Sequence, residues 1–237
     1  MDLKEEHLLG EQVASHWYYR AKLAALLQTL DGNVAGEVLD VGAGSGFFSR
    51  ALLERTAATG STCVDPGYPM DVDETVTAKP LRFRRQIGSS DASLVLMMDV
   101  IEHVADDRAL VADYVAKVRP GTRFIVTVPA FMWLWSGHDV FLEHHRRYTV
   151  AQAETPLSAA GLRIERGFYF YGAVLPLVAG VRLAKRLTQG EAPPGSDMRL
   201  YGPLANGLLY RISRAETAVM HLNRLGGTTV FVSAVKP

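Results

Sequence analysis

Several features that define other classes of protein are missing from this sequence. It has a single cysteine, Cys63, so no disulfide can form within the chain, which fits a reducing compartment. Lysine and arginine together number 25, as do aspartate and glutamate, so no global field attracts nucleic acid or an anionic surface. The longest nearly apolar stretch, Phe168 to Val181, is too short to span a bilayer. The first residues do not resemble a signal peptide, and we therefore expect a cytoplasmic protein.

The sequence also lacks internal repeats and low-complexity segments, but it has enough hydrophobic residues to form a sizeable core. Hydrophobic residues make up 48% of the 237 residues, which suits one large domain or one domain with an insertion. Apolar segments with strand character alternate with helical patterns along most of the chain. This alternation predicts an α/β fold with a doubly wound, mostly parallel sheet.

The most informative stretch is residues 37–49, where an apolar strand leads into three glycines and then a helical pattern. Gly42, Gly44 and Gly46 stand at alternate positions after the strand, and Asp40 lies just before them. Such a turn lets the backbone approach a nucleotide at the start of a helix. The dinucleotide fingerprint runs Gly-x-Gly-x-x-Gly, so the spacing argues against a nicotinamide cofactor. A turn that only joins a strand to a helix is the alternative interpretation.

The run from Asp40 to Gly46 resembles motif I of the class I S-adenosylmethionine-dependent methyltransferases. In that family the glycine turn, here Gly42, Ala43, Gly44 and Gly46, packs against the methionine part of S-adenosylmethionine. The resemblance implies that Asp40 orders the turn and the amino end of the cofactor. It also implies a seven-stranded, Rossmann-like sheet whose last strand is antiparallel.

Further cofactor contacts are expected along the same pattern. Asp65 closes the second predicted strand about twenty residues after the glycine turn, where an acid can hold a ribose diol, or it only forms a turn. The resemblance implies an adenine contact at Gln86, after the third strand, and cofactor contacts at Asp99 and Val100, after the fourth.

A helix predicted over residues 11–30 carries the aromatic segment from His16 to Arg20. This segment resembles the lid helix of small-molecule methyltransferases, which implies that Trp17 folds over the cofactor and that Arg20 meets its carboxylate. The alternative is that Trp17 covers the edge of the sheet, because aromatic stripes usually belong to a core.

Asp99, Glu102 and His103 are spaced to lie on one face of a helical turn. With His144 they offer two carboxylates and two imidazoles, a donor set for a divalent metal such as Mg²⁺. The arrangement resembles the metal sites of plant-type small-RNA 2′-O-methyltransferases and of metal-assisted ubiquinone O-methyltransferases, except that Asp99 stands where those enzymes have glutamate. The alternative is a Glu-His pair that only orders its loop.

Three histidines are candidates for the base that removes a proton from the acceptor. They are His103 and, in the aromatic loop after the fifth predicted strand, His138 and His145. Histidines in such loops are also common as structural residues. The neighbouring pair Arg146-Arg147 either binds an anionic group of the acceptor or forms a solvated face.

The pattern divides the chain into four parts. Residues 1–35 form an amino-terminal cap helix, 36–170 the cofactor-binding core, 171–227 a helical insertion on the acceptor side and 228–237 the final core strand. Together they predict an α/β fold with a doubly wound seven-stranded sheet and a helical insertion before the last strand.

Within the insertion, helices are predicted near 172–188 and over 203–225, joined by a loop rich in proline and glycine. We expect this segment to cover the acceptor pocket. One apolar face of the second helix consists of Leu204, Leu208, Ile212, Ala215, Val219 and Leu222. The stretch 168–187 either rests on a membrane surface or forms an apolar cap helix inside the fold.

The sequence therefore predicts an S-adenosylmethionine-dependent methyltransferase that acts on a small, partly hydrophobic acceptor. O-methylation is favoured, because a metal or a histidine base would help to remove the proton of a hydroxyl acceptor. The alternatives are a protein that binds S-adenosylmethionine without catalysis, a nicotinamide-dependent oxidoreductase and an RNA methyltransferase. A nucleic-acid partner is not expected, because the sequence has no basic patch for phosphate contacts. The oligomeric state stays open.

Overall fold

The computed structural model describes residues 10–32, 34–189, 195–196 and 201–237. Most of the loop predicted over 190–203, and the first part of the cap region, lie outside these residues.

A single sheet of eight strands organises the described chain. Its strand order is β3-β4-β2-β1-β5-β6-β8-β7, and the pairs β3/β4, β6/β8 and β7/β8 are antiparallel. The strands are β1 (Gly36–Val41), β2 (Ala58–Val64), β3 (Val72–Val76), β4 (Lys79–Arg84), β5 (Leu94–Met98), β6 (Arg123–Pro129), β7 (Arg163–Phe170) and β8 (Thr229–Val235). The predicted doubly wound α/β fold is therefore confirmed.

The sheet has one strand more than the seven expected, because residues 72–76 form the additional strand β3. Strand β3 pairs with β4 through a two-residue turn at Thr77 and Ala78, both with positive φ (49° and 63°). Two such residues make the hairpin turn that matches strand twist, usually with glycine or asparagine. Strand β3 is an exposed edge strand, so it lacks the apolar pattern by which buried strands are recognised.

Seven α-helices and four short 3₁₀ helices are present in the described residues. The α-helices are α1 (Trp17–Thr29), α2 (Phe47–Arg55), α3 (Asp107–Lys117), α4 (Gly137–Phe141), α5 (Val150–Ala159), α6 (Leu175–Gln189) and α7 (Pro203–Glu216). The 3₁₀ helices are Gly10–Ser15, Ile101–His103, Met132–Leu134 and Met220–Leu222. Side chains cap two of these helices: Asp106 accepts from the Ala109 amide at 2.9 Å, and Thr149 forms a capping box with Gln152.

The core consists of two apolar layers, one on each face of the sheet. One layer packs residues of α1 and α2, such as Leu26 and Leu52, against the sheet. The other packs residues of α3 and α5, such as Val111 and Leu157. Every residue of β5 is buried, as expected for a central parallel strand covered on both faces.

The second helix of the insertion is shorter than predicted. Helix α7 ends at Glu216 rather than near 225, and it packs against α1. The apolar face predicted on this helix is open to solvent, with Leu204 91% exposed. Cover of the acceptor pocket by the insertion stays a prediction. Of the helices in the described part of the chain, none is both long enough and apolar enough to cross a bilayer.

Candidate active site

The carboxyl ends of β1, β2 and β5 lie side by side, because these strands are parallel neighbours. The loops that follow them therefore meet at one edge, which is where ligands bind in open α/β sheets. These loops carry most of the residues predicted to contact the cofactor.

The glycine turn after β1 adopts backbone angles that suit glycine alone. Gly42, Gly44 and Gly46 all have positive φ, at 62°, 54° and 73°. A Cβ on Gly42 would also lie 2.7 Å from a methyl carbon of Val100, so the turn packs directly against the loop after β5. The Tyr68 hydroxyl donates to the Gly44 carbonyl at 2.6 Å and holds the turn from the side of β2. A rigid, close turn of this kind is suited to approach a ligand with its backbone.

Asp40 supports this turn from inside the protein. Its carboxylate is buried and accepts a hydrogen bond from Ser49 Oγ at 2.7 Å, and Ser49 Oγ in turn accepts from Ser61 Oγ at 2.9 Å. Burial raises the pKa of Asp40 to about 6. Asp40 thus ties β1 to α2 behind the glycines, while its predicted contact with the amino end of the cofactor stays a prediction.

Two further predicted cofactor residues lie at the ends of neighbouring strands. Asp65 is half-buried after β2, and its Oδ1 accepts from the Gly67 amide at 2.8 Å, which shapes the turn. Gln86 is exposed after β4. Their roles at the ribose and the adenine stay predictions.

The predicted lid segment at the start of α1 is tied to α7. The Trp17 amide donates to Asn206 Oδ1 at 2.8 Å, and the Arg20 guanidinium lies 3.9 Å from the centre of the Tyr210 ring. Trp17 Nε1 is buried and has no hydrogen-bond partner in the described structure, so it is a donor available to a ligand. Contact of Arg20 with the cofactor carboxylate stays a prediction.

A buried ion pair that the sequence did not predict joins α1 to the end of β5. The Lys22 ammonium, fully buried, pairs with Asp99 Oδ2 and donates to the Tyr18 hydroxyl at 3.1 Å. Thr127 Oγ1 donates to Asp99 Oδ1 at 3.1 Å, and Asp99 has a positive φ of 56°. The only sequence signal was a lone lysine in the apolar segment 21–27.

Charge pairing sets the ionisation of both partners. Burial disfavours the charged forms, but the attraction between the two groups outweighs it. The pKa of Lys22 therefore lies above its usual value, and the pKa of Asp99 lies below its usual value. Both groups are charged at neutral pH, so α1 is clamped to the strand end beside the glycine turn.

Glu102, His103 and His144 form a second cluster, whose potential ligand atoms all lie within 4.8 Å of one another. The rings of His103 and His144 meet edge to face, with centroids 4.6 Å apart. The Glu102 carboxylate is buried, and neither oxygen has a hydrogen-bond partner in the described structure. Burial, followed by the nearby charge of Asp99, raises the pKa of Glu102 well above its usual value. Such a buried acceptor fits a cation or a proton.

Asp139 orients His144 in this cluster. Its Oδ1 lies 2.9 Å from His144 Nδ1 and accepts from Arg147 Nε at 2.6 Å, and its Oδ2 accepts from the Ser136 amide at 2.8 Å. Burial opposes ionisation of Asp139, but the bond to His144 and the charge of Arg147 outweigh it, so its pKa lies below the usual value. A carboxylate on one ring nitrogen of histidine leaves the other nitrogen directed at the cluster.

The sequence did not assign Asp139 and Arg147 this positioning role. Arg147 is buried and ion-paired with Asp139, which corrects the idea that it binds an anionic acceptor or belongs to a solvated face. Arg146 instead pairs with Asp107 at 3.2 Å. The spacing of Asp139, His144 and Arg147 along one loop was the available signal.

Not all of the predicted metal and base residues come together. The ligand group does not include Asp99, because the carboxylate of Asp99 pairs with Lys22 and Thr127 instead. Glu102 and His103 lie on a 3₁₀ turn rather than an α-helix. His138 is half-buried on α4, and His145 is exposed with its amide bonded to the Glu102 carbonyl at 2.8 Å; neither belongs to the group.

A cavity of about 360 Å³ lies at the opposite end of the sheet, lined by residues that include Thr29, Arg123 and Ser233. Arg123 begins β6, so this cavity faces the amino ends of the parallel strands. It is therefore separate from the edge that carries the glycine turn.

Comparison with solved structures shows the same fold in several proteins. One is the complex between the Haloferax volcanii Trm112 methyltransferase activator and a protein described as a methyltransferase, with 16% identity, a TM-score of 0.56 and coverage of 95% of this chain and 92% of that one. A second is Haemonchus contortus phosphoethanolamine N-methyltransferase 2, with S-adenosylhomocysteine bound, at 15% identity, TM-score 0.55 and coverage of 98% and 56%. A third is the [4+2]-cyclase SpnF, at 15% identity, TM-score 0.53 and coverage of 92% and 79%. At these identities the likeness concerns the fold alone.

Sequence comparison identifies the family. No curated protein matches the chain by sequence. The family model for a methyltransferase domain matches residues 15–166, which include α1, the glycine turn, the Lys22–Asp99 pair and the Glu102 cluster. This match decides against the nicotinamide-dependent alternative. The chain belongs to the methyltransferase-domain family and is a class I S-adenosylmethionine-dependent methyltransferase.

Proposed function

We propose that this methyltransferase O-methylates a small, partly hydrophobic acceptor and that a divalent cation held by Glu102, His103 and His144 assists the reaction. The observation that carries the proposal is the buried Glu102 carboxylate, whose two oxygens have no hydrogen-bond partner in the described structure and which lies among two imidazoles. Leaving a buried acceptor unsatisfied costs about 1–3 kcal/mol, and more for a charge. A bound cation would remove that cost.

The donor set indicates which ions suit the cluster. Two imidazoles and one carboxylate favour Zn²⁺, a borderline ion that imidazole suits, and then Mn²⁺, which binds nitrogen more readily than Mg²⁺ does, over Mg²⁺, which prefers oxygen ligands. Asp139 supports this role by fixing the ring of His144, as outer carboxylates do for metal-bound histidines.

The reaction itself needs mainly alignment. S-adenosylmethionine supplies a methyl group already activated on a sulfonium, so the protein has to hold donor and acceptor in line. A hydroxyl acceptor must also lose its proton, and a divalent cation lowers the pKa of a group bound to it. The Lys22–Asp99 pair fixes the end of β5 between the glycine turn and the cluster. His103, half-buried within the cluster, is the candidate base.

The partly hydrophobic acceptor is supported by aromatic side chains in the loop after β6. Phe131 stacks with Tyr169 at 4.8 Å and with Trp133 at 5.7 Å between ring centroids. The same loop carries His144. Stacked aromatic surfaces bind apolar or planar groups well.

The metal is tested by calorimetric titration of the protein with Mn²⁺, Zn²⁺ and Mg²⁺. We expect one Mn²⁺ or Zn²⁺ per chain, with affinity lost by tenfold or more in Glu102→Gln, while S-adenosylmethionine affinity is retained. Glu154→Gln, a half-buried acid on α5, is the matched control and should bind the ion normally. Absence of binding to the unaltered protein would remove the metal from the proposal.

The acceptor class is tested separately with methyl-labelled S-adenosylmethionine and a cell extract, with and without a chelator. We expect label in small molecules as base-stable methyl ethers, and less of it when the chelator is present. Label on amines would overturn O-methylation, and label in RNA would favour the RNA methyltransferase alternative. Transfer that chelators do not affect would leave His103 as the base without a metal.

A further inference from the structure

Exposed apolar side chains are concentrated on the insertion. Of the sixteen large hydrophobic residues that are exposed in the described structure, eleven lie between residues 175 and 225. Single exposed hydrophobic residues are ordinary, but a concentration of this kind marks an interaction surface. We call the exposed large hydrophobic side chains that the structure describes between residues 175 and 225 the apolar face; its members are Leu177, Val181, Leu183, Leu187, Tyr201, Leu204, Leu208, Ile212, Val219, Leu222 and Leu225.

Helix α7 leaves part of its apolar side open to solvent. Ser213 and, just after the helix, Thr217 are fully buried, whereas Leu204 and Leu208 are 91% and 60% exposed. A helix on a soluble domain normally buries its apolar stripe and exposes its polar one. The fold therefore holds Leu204 and Leu208 outward, while Asn206 and Tyr210 contact α1 and Leu209 packs against the core.

Helix α6 also exposes leucine to solvent. Leu187 is 79% exposed, while the guanidinium of Arg182 turns inward and donates to the Leu134 carbonyl. Arg186 donates to the Trp135 carbonyl at 2.7 Å. These two arginines connect α6 to the loop that contains Met132 and Trp133, both half-exposed apolar residues. The loop thus adds a tryptophan beside the apolar face.

The charge of this segment differs from that of the whole chain. Residues 175–189 and 203–225 contain six lysines and arginines against one acidic residue, whereas the whole chain has 25 of each sign. The one acid, Glu216, accepts from the Gly172 amide at 2.8 Å and is turned inward. Arg211 is exposed, three residues after Leu208, and makes no ion pair with any residue in the described part of the chain. Arg211 therefore places an unpaired positive charge beside the exposed leucines of α7.

We infer that the apolar face rests on the surface of an anionic lipid bilayer. Leucines on one side of short helices, flanked by arginine and with a nearby tryptophan, are the pattern of helices that lie in the plane of a membrane interface. The positive charge complements anionic headgroups, each basic residue near the surface contributing to the attraction. Neither helix crosses the bilayer; the protein docks on it from one side.

The test is flotation of the purified protein with vesicles of phosphatidylcholine alone and of phosphatidylcholine mixed with phosphatidylglycerol. We expect binding to the mixed vesicles that weakens with added salt, and much weaker binding to phosphatidylcholine alone. The assay needs neither acceptor nor metal, so its result is independent of the proposed O-methylation.

Two variants locate the contact. The triple substitution Leu204→Ser, Leu208→Ser and Leu222→Ser should weaken binding by about tenfold for each leucine that inserts. Arg211→Gln should weaken binding to the mixed vesicles by about fivefold and leave binding to phosphatidylcholine unchanged. Met70→Ser with Val72→Ser, which removes exposed apolar residues near the β3 edge, is the matched control and should bind normally.

Because all the substituted side chains are exposed, the variants should keep the thermal midpoint and the S-adenosylmethionine affinity of the parent. Failure of the parent to float with the mixed vesicles overturns the inference, as does normal binding by the leucine variant. Equal binding to both vesicle types overturns the role of charge. Sedimentation velocity gives a further check: a dimer that the leucine variant abolishes would assign the face to contact between copies of this chain instead.

Discussion

At the scale of single residues, Asp40 makes the stability of the protein depend on pH. Its pKa rises from 3.8 to about 6 on folding because the carboxyl is buried. The folded protein therefore holds this proton more tightly than the unfolded chain in that window, so the free energy of unfolding falls as the pH rises through it. The shift corresponds to a contribution of about 3 kcal/mol to the free energy of unfolding. This contribution is fully present below the unfolded pKa of 3.8 and is lost above the folded pKa.

Asp40→Asn removes this dependence while keeping an oxygen that can accept from Ser49 Oγ. We expect urea unfolding of the variant to show a flatter pH profile between about pH 4 and pH 7 than the parent. Ser49→Ala should make the pH profile steeper, because it removes the hydrogen bond that stabilises the ionised form of Asp40 and so raises its pKa further. Parallel profiles for parent and Asp40→Asn would contradict the burial argument.

The Lys22–Asp99 pair gives a second prediction at this scale. Lys22→Met leaves Asp99 without its partner in a largely buried position and should destabilise the protein by about 2–4 kcal/mol. Adding Asp99→Asn removes the unpaired charge, so the double variant should be more stable than Lys22→Met alone. Thermal and urea unfolding measure the difference, and a double variant that is less stable than the single one would contradict it.

Residue patterns predicted the glycine turn, because it depends on neighbours within a few positions. The sequence could not predict the Lys22–Asp99 contact, since 77 positions separate the partners and the fold alone brings them together. The sequence also could not predict where the Asp99 side chain lies. Its spacing to Glu102 suggested a shared face of an α-helix, but Asp99 has a positive φ and Glu102 lies on a 3₁₀ turn. The Asp99 carboxylate bonds to Lys22 and Thr127 instead.

At the scale of elements, the loop between β6 and α5 should depend on Asp139. Asp139→Asn weakens its bonds to Arg147 and His144, and we expect a loss of Mn²⁺ or Zn²⁺ affinity of about tenfold to a hundredfold. S-adenosylmethionine affinity should be unchanged, because Asp139 lies outside the loops predicted to hold it. Asp113→Asn, an exposed acid on α3, serves as the control. An unaltered metal affinity would show that His144 is held by other contacts.

Element positions followed from hydrophobic periodicity wherever a strand or helix was buried on at least one face. Strand β3 was missed because it is short, polar and at the edge. The periodicity of α7 located the helix and its apolar face but could not give the direction in which that face points. That direction depends on α1, against which α7 packs.

At the scale of the whole molecule, cofactor binding should stabilise the fold through the glycine turn. At a ligand concentration a hundred times its dissociation constant, the free energy of unfolding rises by about 2.7 kcal/mol. For a chain of this size that is a rise in thermal midpoint of about 5–10 °C. We expect this shift with S-adenosylmethionine or S-adenosylhomocysteine.

Gly42→Ala should abolish the shift, because the added Cβ would lie 2.7 Å from Val100 in a left-handed backbone. Gly121→Ala is the matched control: it also has a positive φ, of 85°, but no atom lies within 4 Å of the added Cβ. It should lower the thermal midpoint modestly and keep the full response to ligand. A normal response in Gly42→Ala would move the cofactor away from this turn.

The position of β8 has a consequence for biosynthesis. In the sheet β8 lies between β6 and β7, although it follows both in the chain, and α6 and α7 separate it from β7. During translation β7 therefore leaves the ribosome before its only sheet neighbour in the described structure exists, and β6 and β7 each present an unpaired edge. The two leucine-bearing helices emerge in this same interval. Nascent chains paused between β7 and β8 should thus be the form that most requires chaperones.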